Sequence, residues 1–156
     1  MKIAVGSDER THLTDFVVEE LKNRGHEVEL HGPLAGESLD WPAVGQAVAE
    51  RVTSGAADEG ILFCWTGTGV SIAANKVPGI RAALCHDAET AKGARIWNQA
   101  NILVMSLRTT SEAVAKEMLD AWLSTPYDED EWNKACVAQV RGIEEKYGKK
   151  RGARHS

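Results

Sequence analysis

The sequence predicts an α/β fold in three layers: a doubly wound, parallel, five-stranded sheet with helices on both faces. Three observations predict it. Short β-rich runs alternate with amphipathic helical runs, the pattern of a parallel sheet crossed by helices. One run, Gly60-Ile61-Leu62-Phe63-Cys64, is continuously apolar, as expected of a strand covered on both faces. The length of 156 residues suits one domain, large enough to bury roughly 70% of the surface its unfolded chain exposes.

The elements follow in order. Ile3-Ala4-Val5-Gly6 reads as the first strand. Leu13, Phe16, Val17 and Leu21 recur at helical spacing, and Gly25 supplies a stop. Val28-Glu29-Leu30 is a weaker second strand, flanked by His26 and His31, which are expected to face solvent. Pro42 sits near the start of a helix that buries Val44, Ala47, Val48 and Val52. The apolar run ending at Cys64 is the third strand. A glycine-rich turn and a short helix from Val70 to Asn75 come next. Arg81 to Cys85 and Asn101 to Met105 read as strands four and five, and the helix between them, about Asp87 to Arg95, is capped by Asp87. Ala115, Met118, Leu119 and Trp122 form the stripe of a further helix. Trp132, Cys136, Val140, Ile143 and Tyr147 mark the last one. Five strands suit a flavodoxin-like, Rossmann-like order. The reading gives one domain over residues 1–147 and a basic tail over 148–156, expected to be a frayed, solvated end.

Composition narrows the function. Hydrophobic residues are 43% and charged residues 26%, which argues against disorder, collagen-like repeats and a disulfide scaffold. No apolar run reaches the ~18 residues of a membrane helix. Eighteen basic against 23 acidic residues give a net charge of −5, poorly suited to nucleic acid. The three cysteines, Cys64, Cys85 and Cys136, are spaced for neither zinc nor a disulfide framework. The first residues enter a strand with no signal-peptide layout. A reduced, cytoplasmic protein without nucleic-acid or membrane partners is expected.

Ligands of doubly wound sheets sit beyond the carboxyl ends of the strands. Ser7 to His12, Cys64 to Ser71 and Cys85 to Asp87 therefore matter most. In the second of these, Gly67 and Gly69 let the backbone turn sharply with N–H groups facing a ligand. The helix that follows favours an anion or a developing oxyanion at its start. The segment matches neither GxxxxGK[ST] nor GxGxxG. Spacing alone leaves two readings of Cys64: a small apolar residue closing a strand, or a thiol made reactive by a helix N-terminus.

The stretch Gly60-Ile61-Leu62-Phe63-Cys64-Trp65-Thr66-Gly67-Thr68-Gly69-Val70-Ser71-Ile72-Ala73-Ala74-Asn75-Lys76 resembles the active-site segment of type B sugar-phosphate isomerases. That family comprises ribose-5-phosphate isomerase B and the galactose-6-phosphate isomerase subunits. Val77 to Ala83 continues the match, as do Gly6-Ser7-Asp8, Asp40-Trp41-Pro42, Asn98 to Asn101, and Arg108. The resemblance runs to about Tyr147. It implies a flavodoxin-like fold and an aldose–ketose isomerase that needs no metal and no cofactor. It also implies a homodimer or dimer of dimers with sites between subunits, the last helix packing on the partner. The implied reaction moves a proton between adjacent carbons of a sugar phosphate through a cis-enediolate. Cys64 falls where cysteine-type members keep their base; others use a glutamate at the position of Val70. Thr66 matches a threonine that assists proton movement at the oxygens, and the backbone of Gly67, Thr68 and Gly69 matches the oxyanion cradle. Asp8 and Asn98 match residues that bind substrate hydroxyls. Arg108 matches an arginine near the phosphate.

The chain also departs from the family pattern. Trp97 stands where ribose isomerases of this type keep a ring-opening histidine, and an indole cannot act as a base. Glu9 replaces a second histidine. Asp128 to Cys136 replaces the arginines that grip phosphate, leaving Lys134 or Arg141 as substitutes. Trp65 fills a usual glycine position and reshapes the pocket. Arg10 and His12 are either replacement positive charge or a solvated arginine and a helix-face histidine. These changes point to an open-chain or short, tetrose or pentose, sugar phosphate. The alternatives are a non-catalytic sugar-phosphate or nucleotide binding module, and one subunit of a heteromeric galactose-6-phosphate-type isomerase.

Overall fold

Alternation along the central strands decides the layers. Ile3, Val5, Ile61, Phe63, Leu103 and Met105 point to one face of the sheet, and Ala4, Leu62, Cys64, Ile102 and Val104 to the other; all are buried. Each face therefore needs its own cover. The computed structural model describes the backbone of residues 1–155 and the side chains of residues 1–148. Its strands are β1 (Lys2–Ser7), β2 (Glu27–His31), β3 (Glu59–Cys64), β4 (Ala82–Leu84) and β5 (Ile102–Ser106). Its helices are α1 (His12–Asn23), α2 (Trp41–Thr53), α3 (Thr68–Asn75), α4 (Ala88–Asn98), α5 (Glu112–Ser124) and α6 (Glu131–His155). Leu13, Val17 and Leu21 of α1, Ala91 and Ala94 of α4, and Met118, Leu119 and Trp122 of α5 cover the first face. Val44, Val48 and Val52 of α2, with Val70 and Ala74 of α3, cover the second. The three-layer αβα reading holds, and all neighbouring strands are parallel.

The strand order is β2-β1-β3-β5-β4, whereas a flavodoxin-like sheet runs 2-1-3-4-5. The last two strands are exchanged, and their burial follows from the exchange. Every residue of β5, inside the sheet, is buried, while β4 has three residues, all half-buried, at the edge. A single 3-10 turn, Gly32–Ala35, follows β2 and was not legible in the sequence. His31 is half-buried and bonded to Glu29 at 2.7 Å rather than facing solvent freely.

Two anchors bear on the site. At the carboxyl end, Thr11 and Thr14 cap α1 reciprocally. Ser7 Oγ donates to the Glu9 carbonyl and accepts from the Glu9 N–H, folding the loop after β1. At the opposite end, Arg95 of α4 pairs with the buried Glu59 of β3 at 2.9 Å. The same guanidinium donates to the carbonyls of Ala100 and Thr125 and lies over the rings of Trp122 and Tyr127. Burial raises the Glu59 carboxyl above its usual range despite the attraction of Arg95.

Helix α6 leaves the body. It buries Asn133 and Val137 but exposes Trp132, Val140, Ile143 and Tyr147. The side chains of the basic tail after residue 148 lie outside the described residues. Among the described residues, no helix is long and apolar enough to cross a membrane.

Candidate active site

The last residue of β3 is Cys64, opposite Ser106 of β5 at the carboxyl edge of the sheet. Hydrogen bonding between these strands continues past their ends. The Leu107 N–H donates to the Cys64 carbonyl at 3.0 Å. Arg108 N–H and Ser106 Oγ both donate to the Trp65 carbonyl, each at 3.0 Å. The loop after β3 is thus tied at its root to the chain leaving β5. Gly67 then reverses the chain with φ of +79° and serves as N-cap of α3 without a side-chain cap. A Cβ there would lie 2.6 Å from Leu84 Cδ1. Only glycine combines that turn with that approach.

The first bond within α3 runs from the Ser71 N–H to the Gly67 carbonyl. The N–H groups of Thr68, Gly69 and Val70 are left without an intrahelical acceptor. A negative charge at this point gains from those donors and from the helix dipole.

Cys64 is 5% exposed. It nevertheless lines a hollow of about 310 Å³ shared by Asp8, Trp41, Trp65, Thr66, Thr68 and Gly69. The Thr66 and Thr68 hydroxyls share a hydrogen bond of 2.8 Å. Burial raises the Asp8 carboxyl above the usual carboxylate value; a backbone hydrogen bond offsets this in part, and the carboxylates of Glu9 and Asp40 add to the rise. The hollow therefore gathers a thiol, a carboxyl group that holds its proton more tightly than usual, two hydroxyls and the open N–H groups of a helix. That set can take a proton from carbon, relay it between oxygens and hold the resulting charge. Among the described residues, no group of three His, Cys, Asp or Glu side chains is placed to hold a metal ion.

The other residues singled out in the sequence lie elsewhere. Trp97 and Asn98, in the last turn of α4, open onto a separate groove of about 700 Å³, lined also by Cys136, Val140, Ile143 and Tyr147. The Trp97 ring lies back over Gly93, whose Cβ would meet it at 2.6 Å. Glu9 and Arg10 are exposed beside the hollow and do not line it. Arg10 is engaged by Asp15 at 2.9 Å. Lys134, in the first turn of α6, pairs with Glu129 at 2.6 Å. Arg108 is exposed, and its side chain makes no ion pair among the described residues. Trp41, which the sequence shows only within Asp40-Trp41-Pro42 ahead of a helix, also lines the hollow. Its place in the hollow depends on how α2 meets α3, which no local pattern records.

A sequence model of the Ribose/Galactose Isomerase family matches residues 3–140. Ribose-5-phosphate isomerase B of Escherichia coli is 40% identical over 81% of this chain and 86% of its own length. D-erythrulose-4-phosphate isomerase of Pectobacterium atrosepticum is 35% identical over 82% of this chain and 86% of its own. The structure of Clostridium thermocellum ribose-5-phosphate isomerase B superposes with a TM-score of 0.88 at 42% identity, covering 94% of this chain and 99% of that one.

Proposed function

The chain belongs to the ribose/galactose isomerase family, and from that premise we propose that it interconverts an aldose and a ketose phosphate by proton transfer through a cis-enediolate. One observation carries this reading. Cys64, otherwise packed in the core, reaches the hollow where Asp8, Thr66, Thr68 and the uncapped start of α3 converge. The Cys64 thiolate removes the proton from the carbon next to the carbonyl. The N–H groups at Gly67, Thr68 and Gly69 hold the enediolate oxygen, and Thr66 moves protons between the oxygens. Asp8 binds a substrate hydroxyl. Arg108 offers the phosphate a free guanidinium fork, while Arg10 and Lys134 are occupied by carboxylates. A thiol base also suits the reducing cytoplasm.

The preferred substrate is open-chain and short. A ketotetrose 4-phosphate has no free hydroxyl with which to close a furanose, so it needs no ring-opening base, and Trp97 supplies none. The likeness to a protein named D-erythrulose-4-phosphate isomerase supports this choice. The site is completed by a second copy of the chain, whose Trp97 and Asn98 would face this Cys64. Their opening onto a different groove of their own chain supports that arrangement.

The test is a panel of sugar phosphates turned over in deuterated water. Erythrulose 4-phosphate should take up solvent deuterium next to the carbonyl and exceed ribose 5-phosphate in kcat/KM. Cys64→Ala should lower the rate by about 10²–10⁴-fold, far more than the modest fall in melting temperature expected from removing one buried sulfur. Absence of exchange with every member of the panel would reject the isomerase reading, and a clear preference for ribose 5-phosphate would reject the short substrate.

A further inference from the structure

We propose that Trp41 determines which carbon chains the site accepts, an inference that rests on the isomerase reading and deepens it. Helices α2 and α3 touch almost backbone to backbone. A Cβ on Gly45 would lie 3.0 Å from Ala73 Cβ and 3.1 Å from the Val70 carbonyl. One turn toward both N-termini the same contact recurs in another form. There the Trp41 indole lies over Gly69, with Cδ2 and Cε3 each 2.9 Å from where a Gly69 Cβ would stand. The indole occupies space that any side chain at position 69 would need. Pro42 follows it at the start of the helix and fixes the local backbone.

Trp41 is thereby a flat apolar wall that the α2–α3 contact sets in place before any ligand arrives. It is 42% exposed, and it shares the hollow with Cys64 and Gly69. Trp65, across the same hollow, is 60% exposed and anchored through its carbonyl rather than its ring. Of the two indoles, Trp41 is the one whose position the fold dictates.

The polar side-chain groups of the hollow are those of Asp8, Thr66 and Thr68, besides the thiol and the indole N–H groups of Trp41 and Trp65, and the part of Trp41 that lies over Gly69 is ring carbon. A substrate carbon facing Trp41 meets an apolar surface, so a hydroxyl on that carbon loses water and gains no partner. An added CHOH unit directed at this wall presses on it or leaves its hydroxyl unpaired against ring carbon. Fixed pockets discriminate a single carbon unit by about 10–200-fold. The wall therefore favours the four-carbon over the five-carbon ketose phosphate.

The experiment compares erythrulose 4-phosphate with ribulose 5-phosphate, both open-chain ketoses, so ring opening does not enter. It measures kcat/KM for wild type and Trp41→Ala. It also measures Kd by calorimetry for both ligands on the Cys64→Ala protein, with and without Trp41→Ala. The expected result is a shift of both ratios toward the five-carbon ligand by about tenfold or more. Trp41→Phe keeps a ring over Gly69 but withdraws the second ring of the indole. It should shift the ratios the same way by less, and it decides the matter if the alanine variant does not fold. Equal losses for both ligands, leaving the ratios unchanged, would overturn the proposal and reduce Trp41 to packing. A shifted Kd ratio in a protein that exchanges no carbon-bound hydrogen would sustain the selecting role of Trp41 and reject the isomerase reading. Failure of the wild-type pocket to bind either ligand would reject both.

Discussion

At Gly67 and Gly36 the backbone adopts nearly the same left-handed conformation, φ of +79° and +77°, in very different surroundings. A Cβ on Gly36 meets nothing within 4 Å, whereas one on Gly67 collides with Leu84 and crowds the Met105 carbonyl at 3.3 Å. Both alanine variants bear the conformational cost, about 1–3 kcal/mol, and only Gly67→Ala adds a clash at the oxyanion turn. Urea unfolding should rank Gly67→Ala below Gly36→Ala, and only Gly67→Ala should lose turnover. At this scale the sequence was readable where the site is contiguous: Cys64, Thr66, Gly67, Thr68 and Gly69 lie on one strand-to-helix turn, and Asp8 joins them from the parallel β1. It was less readable for charges. Arg10 and Lys134 look available in one dimension, yet Asp15 and Glu129, five residues away in each case, already hold them.

Elements raise a different question, since strand identity was legible and strand position was not. The apolar run of β5 declares burial on both faces, but nothing local says that β5 rather than β4 lies beside β3. Arg95 shows how distant elements are then locked. It joins the end of α4 to the start of β3 and to the segment leading into α6. Arg95→Met would leave the Glu59 carboxylate buried without its cation and should cost about 3–5 kcal/mol in chemical denaturation. The β2 edge offers a pH test. Arg51 grips Glu29 through two bonds of 2.6 and 2.7 Å, with Lys2 and His31 nearby. The pairing with Arg51, against the opposing effect of burial and with smaller help from His31 and Lys2, lowers the Glu29 carboxyl from 4.5 to about 2. Because the folded value lies below the unfolded one, its contribution to stability is present above pH 4.5 and is lost as pH falls toward 2. Melting curves of wild type and Glu29→Gln should therefore differ at neutral pH and converge across that interval.

For the whole molecule, the informative feature is that one chain carries two separate surfaces. The Cys64 hollow lacks the α4 residues, and the groove beside α6 presents Trp97 and Asn98 with no thiol. If two copies complete each other, proteins carrying Cys64→Ala and Asn98→Ala, each inactive alone, should recover about a quarter of wild-type activity when unfolded and refolded together, as random pairing in a two-fold dimer requires. Activity that stays absent after mixing would place both residues in one subunit's site. The apolar stripe of α6 was visible in the sequence as Trp132, Val140, Ile143 and Tyr147, but periodicity cannot say whether such a stripe covers its own core or another chain's. The rungs that continue from β3 to β5 beyond Cys64, donated by Leu107 and Arg108, carry a last consequence. The turn behind the thiol is ordered as part of folding, so a ligand arriving there need not spend its affinity on freezing loose chain, and small metabolites with few atoms to offer can still be held firmly.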